Sequence, residues 1–327
     1  MSASKILITG ITGQDGIFLT SYMLNTFGNI EIIGITRSKE NSNFYKKLRK
    51  ITEEEATKRV NLINIDLTKR EDVISLLNSL DVDKIVHLSG PSSVYNSYLH
   101  PDESTNIILN QFENLVQGCI KNNIYPTFFQ ASSSEMFASS AAIPLSENSD
   151  MKPRSPYAEA KFKLHKEVGE LRKKKDWNIK SGIMFNHESE FRKNEFLIMK
   201  VINGLFEIKE SRSSELVVGS LDYCRDWTYA PDMVQAISSI LFEENPTDYV
   251  IGSGKGYTIL SMIKIVSEYF DLNYEEFIKT DESLLRKGDP TEIISDPTLI
   301  HNNLGWKAET SFHKMIEKII EFKLSNL

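Results

Sequence analysis

A tyrosine and a lysine stand four residues apart in this chain, at Tyr157 and Lys161. Side chains with this spacing lie on one face of a helix. An ammonium group beside a phenol favours the phenolate, so it lowers the tyrosine pKa and lets the phenol act as a base near neutral pH. The spacing therefore predicts a pair that takes a proton from a substrate hydroxyl. The alternative is a surface tyrosine and lysine on an amphipathic helix.

Three serines and a glutamate precede that pair, and Ser133 and Glu135 are among them. They follow an apolar run, residues 125–129, which predicts a strand that ends at residues 130–131. A hydroxyl at the end of this strand can hydrogen-bond a substrate oxygen next to the phenol. The alternative for Glu135 is a solvated carboxylate at a strand end.

A glycine-rich turn opens the chain. Residues 5–9 form a short apolar run that predicts a buried parallel strand, and residues 17–27 have helical periodicity. Glycines between a strand and a helix permit a tight turn and bring the backbone close to a pyrophosphate, which then lies at the helix N-terminus. The turn has the spacing G-x-x-G-x-x-G, and its residues predicted to bind a dinucleotide are Gly10, Thr12, Gly13, Gln14, Asp15 and Gly16.

The end of the second predicted strand, residues 31–36, indicates which dinucleotide binds. An acidic side chain there would bind the ribose 2′-hydroxyl of NAD. Here Thr36, Arg37 and Ser38 offer hydroxyls and a guanidinium instead, which suit a 2′-phosphate. We therefore predict NADP as the cofactor. The alternative is that Arg37 is a solvated loop charge.

Strand and helix patterns alternate through the first half of the chain, which predicts an α/β fold with a Rossmann-type doubly wound parallel sheet. We assign residues 1–185 to an NADP-binding domain that carries the catalytic residues. Residues 186–327 are predicted to form mainly a smaller C-terminal substrate-binding lobe, with some segments returning to the first domain. Further strands are predicted at residues 60–65, 84–87 and 179–185, and helices at residues 70–80, 101–121 and 156–174.

Composition excludes several functional classes. The 327 residues are 40% hydrophobic and 25% charged, which is ordinary for a globular chain with a sizeable core, and the net charge of -7 argues against a nucleic-acid partner. The two cysteines, Cys119 and Cys224, provide neither a disulfide framework nor metal-ligand spacing, so we expect no metal and a reduced, cytoplasmic setting. We expect no signal peptide and no membrane span.

Several stretches resemble the GDP-mannose 4,6-dehydratases, a family of the extended short-chain dehydrogenase/reductase superfamily. The resemblance runs from about residue 5 to about residue 310, and the GQDG and NHES segments are its specific parts. The matching stretches are GITGQDG at 10–16, FQASSSE at 129–135, PRSPYA at 153–158, FNHES at 185–189, LDxxRDW at 221–227 and LGW at 304–306.

Three stretches depart from that family. Residues 88–91, LSGP, replace an alanine-rich turn, and residues 190–194, EFRKN, replace a PRRGE-like stretch. Residues 286–290, RKGDP, are more similar to the RPGDP of sugar-nucleotide epimerases. These changes fall mainly where the substrate should be held, so they bear on the identity of the sugar more than on the chemistry.

The resemblance implies three steps at C4, C5 and C6 of a nucleotide-linked hexose. Tyr157 takes the proton of the C4 hydroxyl while a hydride passes to NADP⁺, and Lys161 lowers the tyrosine pKa and holds the nicotinamide ribose. Glu135 removes the C5 proton, water leaves from C6, and the hydride returns to C6. Ser133 binds the C4 oxygen, and the product is a 4-keto-6-deoxy sugar.

The resemblance also implies residues for the two ligands. Asn186 and Arg225 match family positions near the nucleotide diphosphate, and the alternative for both is interdomain packing. His187 is interpreted as a structural hydrogen-bonding residue and not as a catalytic one. The predicted substrate-binding residues are Ser92, Asn186, Lys200, Arg225 and Arg286, and the predicted cofactor site is completed by Asp66, Leu67 and Leu88, with Tyr157 and Lys161.

Three other functions remain open at this point: the same 4,6-dehydration of a GDP-heptose, a sugar-nucleotide 4-epimerase or 4-reductase, and a non-catalytic dinucleotide sensor. Glu135 and the NHES segment argue against the epimerase, and the intact Ser, Tyr and Lys set argues against the sensor. The resemblance also implies a homotetramer or a dimer, because in relatives the stretch that matches residues 37–47 reaches a neighbouring subunit. Asn43 and Phe44 resemble the core of that stretch.

Overall fold

The computed structural model describes residues 3–38, 40–138, 140, 143–285 and 289–326. Strands in these ranges are β1 (Ser4–Thr9), β2 (Ile30–Thr36), β3 (Val60–Asn64), β4 (Lys84–His87), β5 (Thr127–Ser133), β6 (Ile179–Met184), β7 (Asn186–Glu188), β8 (Leu216–Val218), β9 (Cys224–Tyr229), β10 (Tyr249–Ile251), β11 (Gly256–Thr258), β12 (Ile278–Thr280) and β13 (Glu292–Ile293).

Helices in the same ranges are α1 (Gln14–Thr26), α2 (Ser42–Leu48), α3 (Glu54–Thr57), α4 (Arg70–Ser79), α5 (Val94–Leu99), α6 (Pro101–Lys121), α7 (Pro156–Lys175), α8 (Leu197–Lys209), α9 (Ala230–Phe242), α10 (Ile259–Tyr269), α11 (Thr298–Leu304) and α12 (Phe312–Leu324). Short 3₁₀-helices lie at Ser134–Phe137, Tyr274–Glu276 and Glu282–Leu284. Across the described ranges, every helix is too short or too polar to span a lipid bilayer.

In the described residues, the largest sheet has seven strands in the order β10-β6-β5-β4-β1-β2-β3, and every neighbouring pair is parallel. The predicted Rossmann-type fold is confirmed. The chain winds outward in both directions from β1 and β4, so the strand order reverses between them. A crevice forms at such a reversal, outside the carboxyl ends of the strands. The residues that follow β1 and β4 therefore meet at one site.

The sheet buries both of its faces. Ile6 and Ile8 of β1 point into one hydrophobic core with α1 and α9, and Leu7 points into another core beneath α4, α6 and α7. Burial of each such side chain contributes about 1.5–3 kcal/mol relative to its exposure. This two-sided burial explains why β1 is a continuous apolar run and not an alternating one.

The second half of the chain builds a smaller layer. Strand β9 lies between β11 and β13 and also pairs with β7, so Asn186 is opposite Trp227. Trp227 stacks on Phe312 of α12 with ring centroids 5.3 Å apart, within a core that includes α8 and α10. Thus β7 and β9 connect the end of the main sheet to this second core.

Strand β10 and helix α9 are among the segments beyond residue 185 that contact the main sheet. Strand β10 pairs with β6, with Tyr249 opposite Gly182, and α9 packs on α1. The sequence predicts that some segments return to the first domain but does not identify these two. The boundary at residue 185 itself stays a prediction.

The prediction for β5 needs correction at its carboxyl end. The strand starts at Thr127 and continues to Ser133, because pairing with β6 extends to Ser133 opposite Met184. Ser132 and Ser133 are therefore strand residues, whereas Glu135 belongs to the 3₁₀-helix that follows. Glu135 therefore lies just beyond the carboxyl end of β5.

Candidate active site

Tyr157 and Lys161 lie near the start of α7. The helix starts at Pro156, and the side chain of its N-cap residue, Ser155, accepts a hydrogen bond from the Ala158 amide at 3.1 Å. Tyr157 is only 8% exposed and Lys161 only 7%. Neither side chain is a surface group of an amphipathic helix, so that alternative is wrong.

The phenol of Tyr157 lies beside both Ser133 and Glu135. Burial raises the pKa of Tyr157 to about 12; a hydrogen bond from the Ser133 side chain opposes this shift, and the charge of Glu135 adds to it. The structure thus brings together three of the predicted catalytic residues, one from β5, one from the 3₁₀-helix and one from α7.

The expected effect of Lys161 on the tyrosine pKa is not what the structure shows. Lys161 Nζ donates to the Ala131 carbonyl oxygen at 2.8 Å and lies 5.8 Å from the centroid of the Tyr157 ring. Burial lowers the pKa of Lys161 to about 8. The prediction of a lowered tyrosine pKa is therefore wrong for this arrangement, because burial of the phenol outweighs the charges around it.

Glu135 is partly buried and lines a narrow cavity. Tyr98, Arg154 and Asp289 contribute to the cavity walls, and the Tyr98 hydroxyl donates to the Arg154 carbonyl oxygen at 3.0 Å. Glu135 is therefore not a fully solvated carboxylate, and it faces the same space as residues from α5 and from the stretch after residue 288.

The glycine-rich turn is shaped for close backbone approach. Gly10 has φ +68°, and a Cβ there would be 2.9 Å from the Ser89 backbone. A Cβ on Gly16 would be 2.5 Å from Ile11 Cα. Gly13 is the N-cap residue of α1, and no side-chain hydrogen bond caps the helix at this described position. The first amides of α1 thus fit a pyrophosphate group of a dinucleotide.

An open cleft of about 300 Å³ lies where the adenosine end of such a dinucleotide would extend, at the carboxyl ends of β2 and β3. Arg37, Asp66 and Lys69 are among its lining residues, whereas Leu67 is buried beneath it. Hydrogen bonds from Thr68 hold the pKa of Asp66 below its usual range, and the charges of Arg37 and Lys69 contribute. Lys69 was missed by sequence reasoning, although it follows Asp66 by three residues.

The loop after β4 is tied to β1. Thr9 Oγ1 accepts hydrogen bonds from the Leu88 and Ser89 amides, each at 3.2 Å, and lies 2.7 Å from His87 Nδ1. Leu88 therefore lies at the crevice between β1 and β4, as its predicted contact with the cofactor requires. Ser92 is exposed on the same loop.

The side chains of Gln14 and Asp15 contact the segment that follows β6. Gln14 Oε1 accepts from the Ser189 hydroxyl at 2.7 Å, and Asp15 Oδ2 lies 3.0 Å from His187 Nε2. Their predicted role in holding the dinucleotide stays a prediction. Their backbone amides, like that of Thr12, still belong to the turn.

The predicted diphosphate residues lie close in the fold, because β7 and β9 pair. Arg225 is buried and forms an ion pair with Asp289, with Nη2 and Oδ1 3.1 Å apart. Asn186 begins β7 and is partly buried, whereas Lys200 is exposed on α8. The packing alternative therefore stays open for Arg225. Arg286 lies outside the described residues.

The described residues contain no group of three or more His, Cys, Asp or Glu side chains that could hold a metal ion. Separately from this, Ser133, Glu135, Tyr157 and Lys161 contribute hydroxyls, a carboxylate and an amine to the candidate site. They suit proton transfer at carbon and oxygen beside a bound dinucleotide.

Comparison with known proteins gives a consistent result. The family described as GDP-mannose 4,6 dehydratase matches residues 7–319. GDP-mannose 4,6 dehydratase 2 of Arabidopsis thaliana is 30% identical over 322 residues, which cover 96% of this chain and 85% of the relative.

Solved structures share the fold. A dTDP-glucose 4,6-dehydratase from Streptomyces venezuelae, with NAD and TYD bound, superposes with a TM-score of 0.85 at 20% identity, covering 98% of this chain and 97% of that chain. RMD from Pseudomonas aeruginosa, complexed with NADPH, has a TM-score of 0.81 at 21% identity, covering 99% of this chain and 100% of that chain.

Proposed function

The chain belongs to the GDP-mannose 4,6-dehydratase family, and we propose that it converts GDP-mannose to the GDP-4-keto-6-deoxy sugar with NADP as its cofactor. Its class is that of a hydro-lyase, a nucleotide-sugar 4,6-dehydratase. The observation that carries the proposal is the meeting of Ser133, Glu135 and Tyr157 beside the glycine-rich turn. The Ser133 and Tyr157 hydroxyls alone would support oxidation. The neighbouring Glu135 carboxylate adds a base, which elimination requires.

Tyr157 and Ser133 are proposed to act at the C4 hydroxyl of the sugar. The Ser133 hydroxyl holds the C4 oxygen, and the Tyr157 phenolate takes its proton. When bound, the oxidised nicotinamide supplies the hydride acceptor and a positive charge. Because the pKa of Tyr157 is raised to about 12 by burial, the phenolate depends on such stabilisation, to which the hydrogen bond from Ser133 already contributes. Lys161, which donates to the Ala131 carbonyl oxygen, would hold the nicotinamide ribose when the cofactor is bound.

Glu135 is proposed to act at C5 and C6. A 4-keto group acidifies the C5 proton, and the Glu135 carboxylate removes it. The carboxyl group, now protonated, can return that proton to the C6 hydroxyl, which leaves as water. The partly buried cavity around Glu135 limits the access of solvent, which favours this internal transfer over exchange. The unsaturated ketone that remains takes the hydride back at C6 and a proton at C5. The Glu135 carboxyl group, reprotonated from solvent, is proposed to donate that proton.

Arg225 and Asn186 are proposed to hold the diphosphate of the substrate. A guanidinium fork suits two phosphate oxygens. Arg225 already faces a carboxylate, so the diphosphate would share or replace Asp289 at this guanidinium. Ser92, Lys200 and Arg286 complete the proposed substrate site.

The activity is tested by incubating the protein with GDP-mannose and NADP⁺ and measuring the mass of the sugar nucleotide. We expect a product lighter by one water molecule, with no net consumption of NADP⁺. Unchanged mass would contradict GDP-mannose as the substrate, and parallel assays with a GDP-heptose then separate a different sugar from an epimerase or an inert sensor.

We expect the Arg37→Ala variant to bind NADPH about 10-fold or more weakly, because a charged hydrogen bond to the 2′-phosphate is lost. Its affinity for NADH should stay unchanged. Titration of both cofactors, followed by nicotinamide fluorescence, measures the two dissociation constants. Arg49→Ala, which alters an exposed arginine paired with Glu54, is the matched control. Equal losses for NADPH and NADH would contradict the assignment of Arg37.

We expect the protein to form a homotetramer, or a dimer, in solution at micromolar concentration. The proposal follows from the resemblance of residues 37–47 to a stretch that reaches a neighbouring subunit in relatives. The structure changes one detail of it. Phe44 is buried in the core of its own chain, so a neighbouring subunit would be reached by exposed residues such as Asn43. Light scattering coupled to size-exclusion chromatography measures the mass of the particle in solution. A monomer at that concentration would contradict the proposal.

A further inference from the structure

Four polar side chains join the glycine-rich turn to the segment that follows β6. We call Gln14, Asp15, His187 and Ser189 the polar clasp. The Ser189 hydroxyl donates to Gln14 Oε1 at 2.7 Å, and Gln14 Nε2 donates to the His187 carbonyl oxygen at 3.2 Å. His187 Nε2 lies 3.0 Å from Asp15 Oδ2. These bonds connect residues more than 170 positions apart.

Both ring nitrogens of His187 face groups that can only accept hydrogen bonds. Nδ1 lies 2.8 Å from the Phe185 carbonyl oxygen, and Nε2 lies 3.0 Å from the carboxylate of Asp15. A neutral imidazole has one N–H and would leave one of these contacts without a proton. The ring therefore carries two protons and a positive charge.

The charges around His187 agree with this protonation. Burial opposes the charge, but the attraction and hydrogen bond of Asp15 leave the pKa of His187 raised. Burial likewise opposes the charge of Asp15, yet His187 holds the pKa of that carboxyl below its usual value. The other charged groups that face this pair are Arg192 and Glu188, which are ion-paired at 2.9 Å.

We propose that the His187 imidazolium and the other members of the polar clasp are positioning residues that couple binding of the dinucleotide to binding of the sugar nucleotide. The inference rests on the proposed function for the identity of the two ligands. Asp15 lies in the first turn of α1, at the helix N-terminus that is proposed to face the pyrophosphate. His187 lies in β7, which starts at Asn186 and pairs with the strand of Arg225. A shift of His187 therefore displaces both sites together.

The coupling is measured as the ratio of the GDP dissociation constants without and with saturating NADPH, by titration calorimetry. Allosteric coupling is typically on the order of 5- to 150-fold, and we expect a ratio of at least about 5 for the natural chain. His187→Gln keeps a donor but removes the charge, and Asp15→Asn removes the carboxylate at constant size. Each variant should bring the ratio close to 1.

Two further variants complete the design. Ser189→Ala removes a hydroxyl from a fully buried residue that cannot touch either ligand, and it should lower the ratio in part. His313→Gln alters an exposed histidine that is paired with Glu317 on α12, and it should leave the ratio unchanged. Thermal unfolding monitors the fold of each variant. A ratio near 1 in the natural chain, or a ratio that His187→Gln leaves unchanged, would overturn the proposal.

Nuclear magnetic resonance of ¹⁵N-labelled histidine reports the protonation state of His187, which a purely structural contact would not change. Both nitrogens of His187 should resonate as protonated at pH 6.5, and in Asp15→Asn one of them should not. The folded-state pKa is raised, so the charge is present at low pH and is lost as the pH rises through that pKa. The coupling ratio should fall over the same interval. A neutral ring at pH 6.5 in the natural chain would also overturn the proposal.

Failure of the proposal can be distinguished from failure of the proposed function. If GDP does not bind at all, the substrate assignment is wrong, and the clasp is then tested by NADPH binding alone. Residue 187 lies outside the glycine-rich turn. In that case the His187→Gln variant should still bind NADPH several-fold more weakly, and the pH dependence of NADPH binding should shift. An unchanged NADPH affinity in that variant would overturn the role of His187.

Discussion

Replacement of Tyr157 by phenylalanine is expected to lower the turnover of GDP-mannose by at least about 10³-fold, within the range of a general base. The change removes only the hydroxyl that is proposed to take the C4 proton and that meets Ser133. The aromatic ring stays in place, so the core beneath α7 should keep its packing. Because both oxidation and elimination depend on the first proton transfer, no partial product should form.

The turnover of the Tyr157→Phe variant is measured by mass spectrometry of the sugar nucleotide, and NADPH binding by fluorescence titration. Binding should stay within roughly a factor of three, since the hydroxyl contributes to chemistry more than to affinity. Tyr45→Phe is a matched control, because it removes a hydroxyl that donates to the Val60 carbonyl oxygen at 3.2 Å. Turnover above about a tenth of the natural rate would be incompatible with the role of Tyr157.

Glu135→Gln should lower turnover by about 10²-fold or more, and it should do so at a later step. Glutamine keeps the size and most hydrogen bonds of the side chain but cannot accept the C5 proton. Oxidation at C4 uses Tyr157, so it should survive in part. The variant should then accumulate bound NADPH together with a 4-keto hexose that still carries its C6 hydroxyl.

The step that fails in Glu135→Gln is identified by solvent deuterium. The natural enzyme should incorporate deuterium from D₂O at C5 of the sugar. The variant should show little or no deuterium at that carbon. Glu159→Gln changes an exposed glutamate on α7 and serves as the control. Near-normal turnover in Glu135→Gln would favour an epimerase or reductase, whose chemistry ends at C4.

Local sequence patterns were sufficient for the main sheet and for the order of its elements. The limits of β4 and α6 are those that the patterns predict, because each lies between clear turn signals. Strand β10 was not predicted, since three residues are too few to show a periodicity. Its place at the edge of the sheet depends on a partner, β6, that is 65 positions or more away in the chain.

Candidate catalytic residues could be named from the sequence, but their electrostatics could not. The spacing of Tyr157 and Lys161 predicts a shared helix face, yet it does not show that the ammonium group bonds the Ala131 carbonyl oxygen. Likewise, no pattern relates Asp15 to His187, because the two residues are 172 positions apart in the chain and meet only in the folded structure. Long-range polar contacts of this kind follow from the tertiary structure alone.

The pairing of β10 with β6 also has a consequence for synthesis on the ribosome. All residues of β6 are buried in the mature protein, and β10 covers its outer edge. While residues 185–251 are still being translated, β6 is an open edge that can pair with other nascent chains. The Rossmann-type sheet is therefore completed only after three quarters of the chain has been made. We expect chaperones that bind nascent chains to act on this protein during that interval.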